Sequence, residues 1–214
     1  MKNTIKQFLQ STLQNIILEP PLFYNNDIGL RFELGVPYRE LEDPSYFETV
    51  HHRSKELFDS VFSNTDEIFL VMKTYQPLPP LEVINPGVKV FSNYVDPEVA
   101  KEVTCYEKEP VIDEDTNEVS GHLRSFGLLC SLSDVNYKGI LRAIGYIDFP
   151  SNGDYISDRI YFIHPTKHIV FHMYDDRGLD IVALDKEELQ PLFNQYRQWV
   201  LDYDRATIEK KFGR

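Results

Sequence analysis

This 214-residue chain has only two cysteines, Cys105 and Cys130, and they share no CxxC or Cys/His spacing with any neighbour. No zinc site is expected from such a pattern, and two lone thiols read as reduced core residues of a cytosolic protein. Long apolar runs are also missing: nothing approaches the ~20 residues of a membrane span. The opening MKNTIKQFLQSTLQNIILEP lacks the uninterrupted apolar stretch of a secretory leader. Its Ile5, Phe8, Leu9, Leu13, Ile16 and Ile17 recur every three or four residues instead, so an amphipathic helix ending before Pro20-Pro21 is expected, together with a cytoplasmic location. Basic clusters are absent too. The longest is Lys210-Lys211, and the net charge is 22 − 34 = −12. A surface of that sign repels phosphate backbones, so neither nucleic acid nor membrane is expected as a partner, whereas a basic protein surface is suited to it.

Motifs of known chemistry are missing as well. There is no GxSxG, P-loop or Rossmann glycine pattern, and HIVFH lacks both the glutamate and the helical setting of a zinc-protease motif. No internal repeat or low-complexity tract occurs, and no cofactor is expected.

What the chain does have is aromatic residues, 13 Tyr and 14 Phe, enough to build the core on rings. DIGLRFELG alternates as a half-buried strand. DPSYFETVHHRSKELFDSVFS reads as a helix with Asp43 as N-cap and Pro44 at its first position. EIFLVMKTY is apolar on both sides, as a central strand should be. Residues 96–120 carry nine acids against two lysines, and VIDEDTNEVSG within them has a hairpin tip's turn residues, Asp115, Thr116 and Asn117. LRSFGLLCSLS reads as a strand and YKGILRAIGYIDF as a short helix.

The last third is the most regular. RIYFIHPTKHIVFHMYDDRGLDIVAL reads as three antiparallel strands, and DKEELQPLFNQYRQWVLDYDRATIEKKF as one long amphipathic helix. Asp185 is its expected N-cap with Glu188 completing the capping box, and its apolar stripe runs from Leu189 to Tyr203. The order of elements specifies an α+β fold: a single domain over 1–214, mainly an antiparallel sheet with helices on one face, divisible if anywhere near residue 120.

DDRG demands a reason. A three-residue hairpin loop of Asp176, Arg177 and Gly178, with the glycine in the left-handed region, would place Asp175 opposite Leu179 and Met173 opposite Ile181. The opposite face of the meander then carries Arg159, His168, His172, Tyr174 and Asp180, and is solvent-facing, a docking surface or a pocket floor. Arg177 has no role in closing such a turn.

HMYDDRGLDIVA and the helical segment after it resemble an uncharacterised bacterial family, catalogued only as a domain of unknown function, whose most recognisable motif is YDDRG. The likeness is carried by Arg159 to Phe212; the N-terminal half agrees in length and general pattern. It implies a bacterial, cytosolic source and one compact domain, and transfers no catalytic residue. Two functions are therefore weighed. One is a non-catalytic binding protein of the immunity or inhibitor kind, docking a basic partner such as a toxin through the acidic 96–120 segment or the outer sheet face. The other is a metal-dependent hydrolase or phosphoesterase, with Asp175 and Asp176 holding a metal, His172 moving the proton and Arg159 neutralising an anion.

Overall fold

The computed structural model describes residues 2–11, 13, 15–35, 44–79 and 86–213. The expected N-cap Asp43 lies outside them. Seven strands form one antiparallel sheet: β1 (Gly29–Glu33), β2 (Glu67–Pro77), β3 (Thr104–Ile112), β4 (Val119–Ser131), β5 (Arg159–His164), β6 (Ile169–Met173) and β7 (Gly178–Ala183), in the spatial order β1-β7-β6-β5-β2-β4-β3. The helices are α1 (Lys2–Ser11), α2 (Pro44–Val61), α3 (Pro86–Tyr94), α4 (Pro97–Ala100), α5 (Tyr137–Gly145), α6 (Lys186–Tyr196) and α7 (Arg205–Phe212). Strands from both halves of the sequence alternate in the sheet, and residue 120 falls at the start of β4.

The fold is α+β, as expected. β2 lies between β5 and β4, which is why seven consecutive residues of it, Ile68 to Thr74, are buried. One face of the sheet presents Leu30, Phe32, Leu70, Met72, Phe162, Phe171, Leu179 and Ile181 to α2, α5, α6 and α7. Phe58 of α2 is fully buried at the centre of this layer. Its ring stacks on Phe62 and Tyr137, with centroids 4.6 and 4.4 Å away, and meets Phe162 and Phe171 edge-on.

The other face is covered too, contrary to the expectation of helices on one side only. Phe69, Val71, Tyr161, Ile163, Val170 and Val182 form a second core with Ile5, Leu13, Ile16 and Leu22 of the N-terminal segment. α1 stops at Ser11, and the chain beyond it crosses the sheet irregularly. This segment is apolar at the positions the amphipathic reading picked out, but it uses them against a sheet.

The long C-terminal helix is broken. α6 ends at Tyr196, two short 3-10 turns follow, and α7 resumes at Arg205. Between them Val200 pairs with Phe32 across an isolated bridge, and the Leu201 amide donates to the Arg31 carbonyl at 3.0 Å. Breaking the helix therefore covers the outer edge of β1, which would otherwise be left open to pairing. The apolar stripe holds as far as Tyr196 and fails at Tyr203, which is exposed. Asp185 sits at the N-cap of α6, but its side chain makes no capping bond.

Phe58→Ala removes the ring on which four others pack. A loss of about 3–5 kcal/mol is expected, read as a lower urea midpoint at unchanged m-value.

Candidate functional site

The YDDRG hairpin joins β6 to β7. Met173 faces Leu179 and His172 faces Asp180, two residues away from the expected register. A shift of two leaves every side chain on its original face, so the apolar alternation cannot distinguish the two pairings. Between β5 and β6, Phe162 faces Phe171. The loop is therefore Asp175-Asp176-Arg177, closed by the Tyr174 amide donating to the Gly178 carbonyl at 3.2 Å.

Gly178 is not in the left-handed region. It is needed for room: a Cβ there would lie 2.7 Å from the Phe32 carbonyl oxygen and would strike the Tyr174 hydroxyl. The Arg177 carbonyl accepts the Leu34 amide at 2.9 Å, which docks the loop onto the chain just beyond β1.

Asp175 and Asp176 are both buried. Asp175 accepts from the Arg177 amide at 2.8 Å through Oδ1, and from Arg177 Nε at 2.8 Å and Nη2 through Oδ2. The Arg177 side chain nevertheless stays 73% exposed, so the loop presents a guanidinium fixed from beneath. Its pKa is held above the ordinary arginine value by those hydrogen bonds and the Asp175 charge. Asp176 accepts from the Tyr46 hydroxyl of α2 at 2.5 Å. Burial pushes the Asp176 carboxyl up, opposed by the Tyr46 bond and reinforced by Asp175. Burial and then the Asp176 bond likewise raise the Tyr46 hydroxyl.

Asp148, exposed in the turn after α5, brings a third carboxylate. Oxygens of Asp148, Asp175 and Asp176 lie within 4.8 Å of one another, a spacing compatible with a hard divalent cation. Yet Asp175 already serves Arg177, and Asp176 serves Tyr46. A cation would compete with both donors for the two carboxylates.

The remaining sequence-picked residues sit elsewhere, beneath the N-terminal segment. Asp180 is completely buried and fully engaged: Arg31 Nε donates to it at 2.7 Å, Arg31 Nη2 at 3.0 Å and the Phe23 amide at 2.9 Å. The Arg31 guanidinium lies over the rings of Tyr24, Tyr174 and Phe23, with Nη1 3.8 Å from Asp204. Tyr24 donates in turn to Asp204 at 2.9 Å. Burial works against the Arg31 charge, but the bonds to Asp180 outweigh it and raise its pKa.

His172 is buried as well. Its ring stacks on Tyr161 with centroids 4.5 Å apart, and Nδ1 lies 2.8 Å from the Ile160 carbonyl, where the protonated ring nitrogen donates. It bonds neither loop aspartate, and burial lowers its pKa. Arg159 donates to Glu19 at 2.9 Å, and Lys73, its partner across β2 and β5, binds the same carboxylate. His168 lies in the β5–β6 turn with φ 52°, off the sheet face. The proposed histidine–aspartate–arginine constellation is thus dispersed over three sites. Tyr46, Asp148, Arg31 and Asp204 had no local signal, since each meets its partners only across long sequence separations. A cleft of about 580 Å³, between α3 and residues 150–158, contains none of these groups.

The chain matches the family described as domain of unknown function DUF3885 over residues 5–204. It belongs to that family. The match extends well beyond the C-terminal third that carried the resemblance. A curated relative, the uncharacterised protein YnaE of Bacillus subtilis strain 168, is 27% identical over 206 residues, covering 92% of this chain and 96% of YnaE. No solved structure matches. No helix among the described residues is long and apolar enough to cross a membrane.

Two outcomes follow for stability. Asp180→Ala strands a buried guanidinium and should cost about 3–5 kcal/mol by chemical denaturation. His172 is neutral when folded, with a pKa below that of the unfolded chain, so the unfolded state binds more protons once pH drops below about 6.5. Its contribution is present above that value and is lost on acidification. Unfolding free energy should accordingly fall from pH 7.5 to 5.5, with a shallower slope in His172→Gln.

Proposed function

We propose that this family member is a non-catalytic binding protein, of the inhibitor or immunity kind, that docks a basic protein through the end of the β3–β4 hairpin. The observation that carries the reading is an exposed apolar patch within an acidic setting. Ile112 and Val119 are 47 and 45% exposed at the end of β3 and β4, and Tyr75, 47% exposed, stands at the same end on the opposite face of the sheet. Ile112 pairs with Val119, and the Tyr75 ring rests over Gly121, where a side chain would collide with it. Residues 107–118 supply six acids and one lysine around this patch.

An apolar centre with a charged rim is the usual anatomy of a docking surface. The other candidate, the outer face of the C-terminal meander, is occupied by the N-terminal segment. Glu107, Lys108, Glu109 and Pro110 run along β3 and discourage strand addition at that edge. The partner is therefore better suited to the hairpin's end than to its backbone.

The hydrolase reading draws on Asp148, Asp175 and Asp176. It is the weaker one, because both buried carboxylates already have donors and His172 is bonded elsewhere.

Affinity capture with wild type and an Ile112→Ser, Val119→Ser variant, both verified by circular dichroism, tests the proposal. A basic protein retained stoichiometrically by wild type, released by salt and lost from the folded variant, is expected. Equal retention by both, or retention by neither, overturns it. Arg177→Ala should capture as wild type does and cost about 1–3 kcal/mol of stability, since it removes two donors from the buried Asp175 carboxylate.

A further inference from the structure

The cleft of about 580 Å³ between α3 and residues 150–158 has both of its walls held by α5. On one side the Asn136 amide, at the start of that helix, donates to the Tyr94 carbonyl at 2.7 Å. A Cβ on Gly139 would lie 2.9 Å from the Tyr94 ring, so α3 sits close against α5. On the other side the Ile156 amide donates to the Ala143 carbonyl at 3.1 Å. The cleft is therefore formed in advance. Its volume falls within the roughly 300–1,000 Å³ of sites that enclose small organic ligands.

Its walls are largely apolar. Val90 and Ile156 are buried, Tyr94 is half-buried, and Tyr155 stands 55% exposed beside them. Into this lining Asp158 brings a carboxylate. Lys73 faces Arg159 across β2 and β5, so the next pair outward is Thr74 and Asp158. Strand alternation puts that pair on the face of Met72 and Ile160, the same face on which Val90 and Phe91 of α3 join the core.

The Thr74 hydroxyl donates to Asp158, and burial nevertheless pushes the carboxyl up. Among the described residues no cation pairs with it. Lys89, the one cation lining the cleft, is exposed and forms no ion pair with Asp158 or with Asp154. Asp154 adds a second negative charge and, after burial, raises the Tyr94 hydroxyl. A carboxylate drawn inward with one neutral donor is costly unless a cation joins it. Among the described residues no group of three metal-ligating side chains forms here, and the walls are apolar, so an organic cation suits the cleft better than a metal ion.

We propose that this cleft binds a small organic cation, an ammonium or guanidinium carried on a short apolar stem. Asp158 receives the charge, the stem lies along Val90 and Ile156, and Tyr155 supplies a ring to cover it. The cleft and the hairpin patch share no residue, so the two proposals stand independently.

Isothermal calorimetry at pH 7 and fixed ionic strength, with hexylamine, hexylguanidine and neutral 1-hexanol as titrants, tests it. The carbon-13 resonance of the Asp158 carboxyl provides a second readout. Saturable binding of at least one cation is expected, with the Asp158 resonance shifting, and 1-hexanol binding at least tenfold more weakly. Asp158→Asn keeps an acceptor for Thr74 and should weaken the cation at least tenfold, with folding verified by circular dichroism. Tyr155→Ala, at an exposed position that does not endanger the fold, should weaken it about threefold. Glu187→Gln on α6 leaves it unchanged. Tighter hexylamine assigns an ammonium ligand, and tighter hexylguanidine a guanidinium. No saturation with either cation, equal binding of 1-hexanol, or undiminished binding in both Asp158→Asn and Tyr155→Ala overturns the proposal.

Discussion

A buried carboxylate and the guanidinium placed against it hold this protein's layers together. Asp180 is on β7, Arg31 on β1, Phe23 and Tyr24 on the segment that crosses the second sheet face, and Asp204 in the turn before α7. All five meet in one network. Burying two aspartates with one arginine is unfavourable unless each oxygen is given a donor. Here the Phe23 amide and the Tyr24 hydroxyl supply what the guanidinium alone cannot. Those donors come from the N-terminal segment, so the network can be satisfied only when that segment is in place. The apolar contacts of the second core make the covering favourable, while the ion pair makes its position specific.

This network changes what the polar residues of the C-terminal third mean. Along a row of neighbours across the sheet, Arg31 faces Asp180, Asp180 faces His172, and His172 stacks on Tyr161. A polar row on a strand face normally signals solvent. In this sheet it signals an internal seam between the strands and a segment of the same chain. The YDDRG loop follows a similar logic. Asp175 orients Arg177, Asp176 ties the loop to α2 through Tyr46, Gly178 admits the Phe32 carbonyl, and Tyr174 flanks Arg31. Only the guanidinium of Arg177 is directed outward.

The sequence was legible where the signal is local. The three strands of the meander, the β3–β4 tip and α5 follow from alternation, turn residues and a short apolar period. Strand register was not, because Met173 meets an apolar partner whether it faces Leu179 or Ile181. The break after Tyr196 was also hidden, because its cause is the open edge of β1 rather than anything within the helix. The candidate sites divide the same way. The acidic hairpin was visible as a charge run, whereas the Arg31–Asp180 network needs strands distant in sequence to be set side by side.

The second core has a consequence for synthesis on the ribosome. Phe23 and Asp180 are separated by 157 residues, and Arg31 and Asp180 by 149. At about 5–20 residues per second, the N-terminal segment emerges roughly 7–30 s before the strand it will cover exists. Throughout that interval the Phe23 amide and the Arg31 guanidinium have no Asp180 to meet. The segment can rest its apolar residues on β2 and β4 once those strands exist, but the polar contacts that fix its position wait for β7.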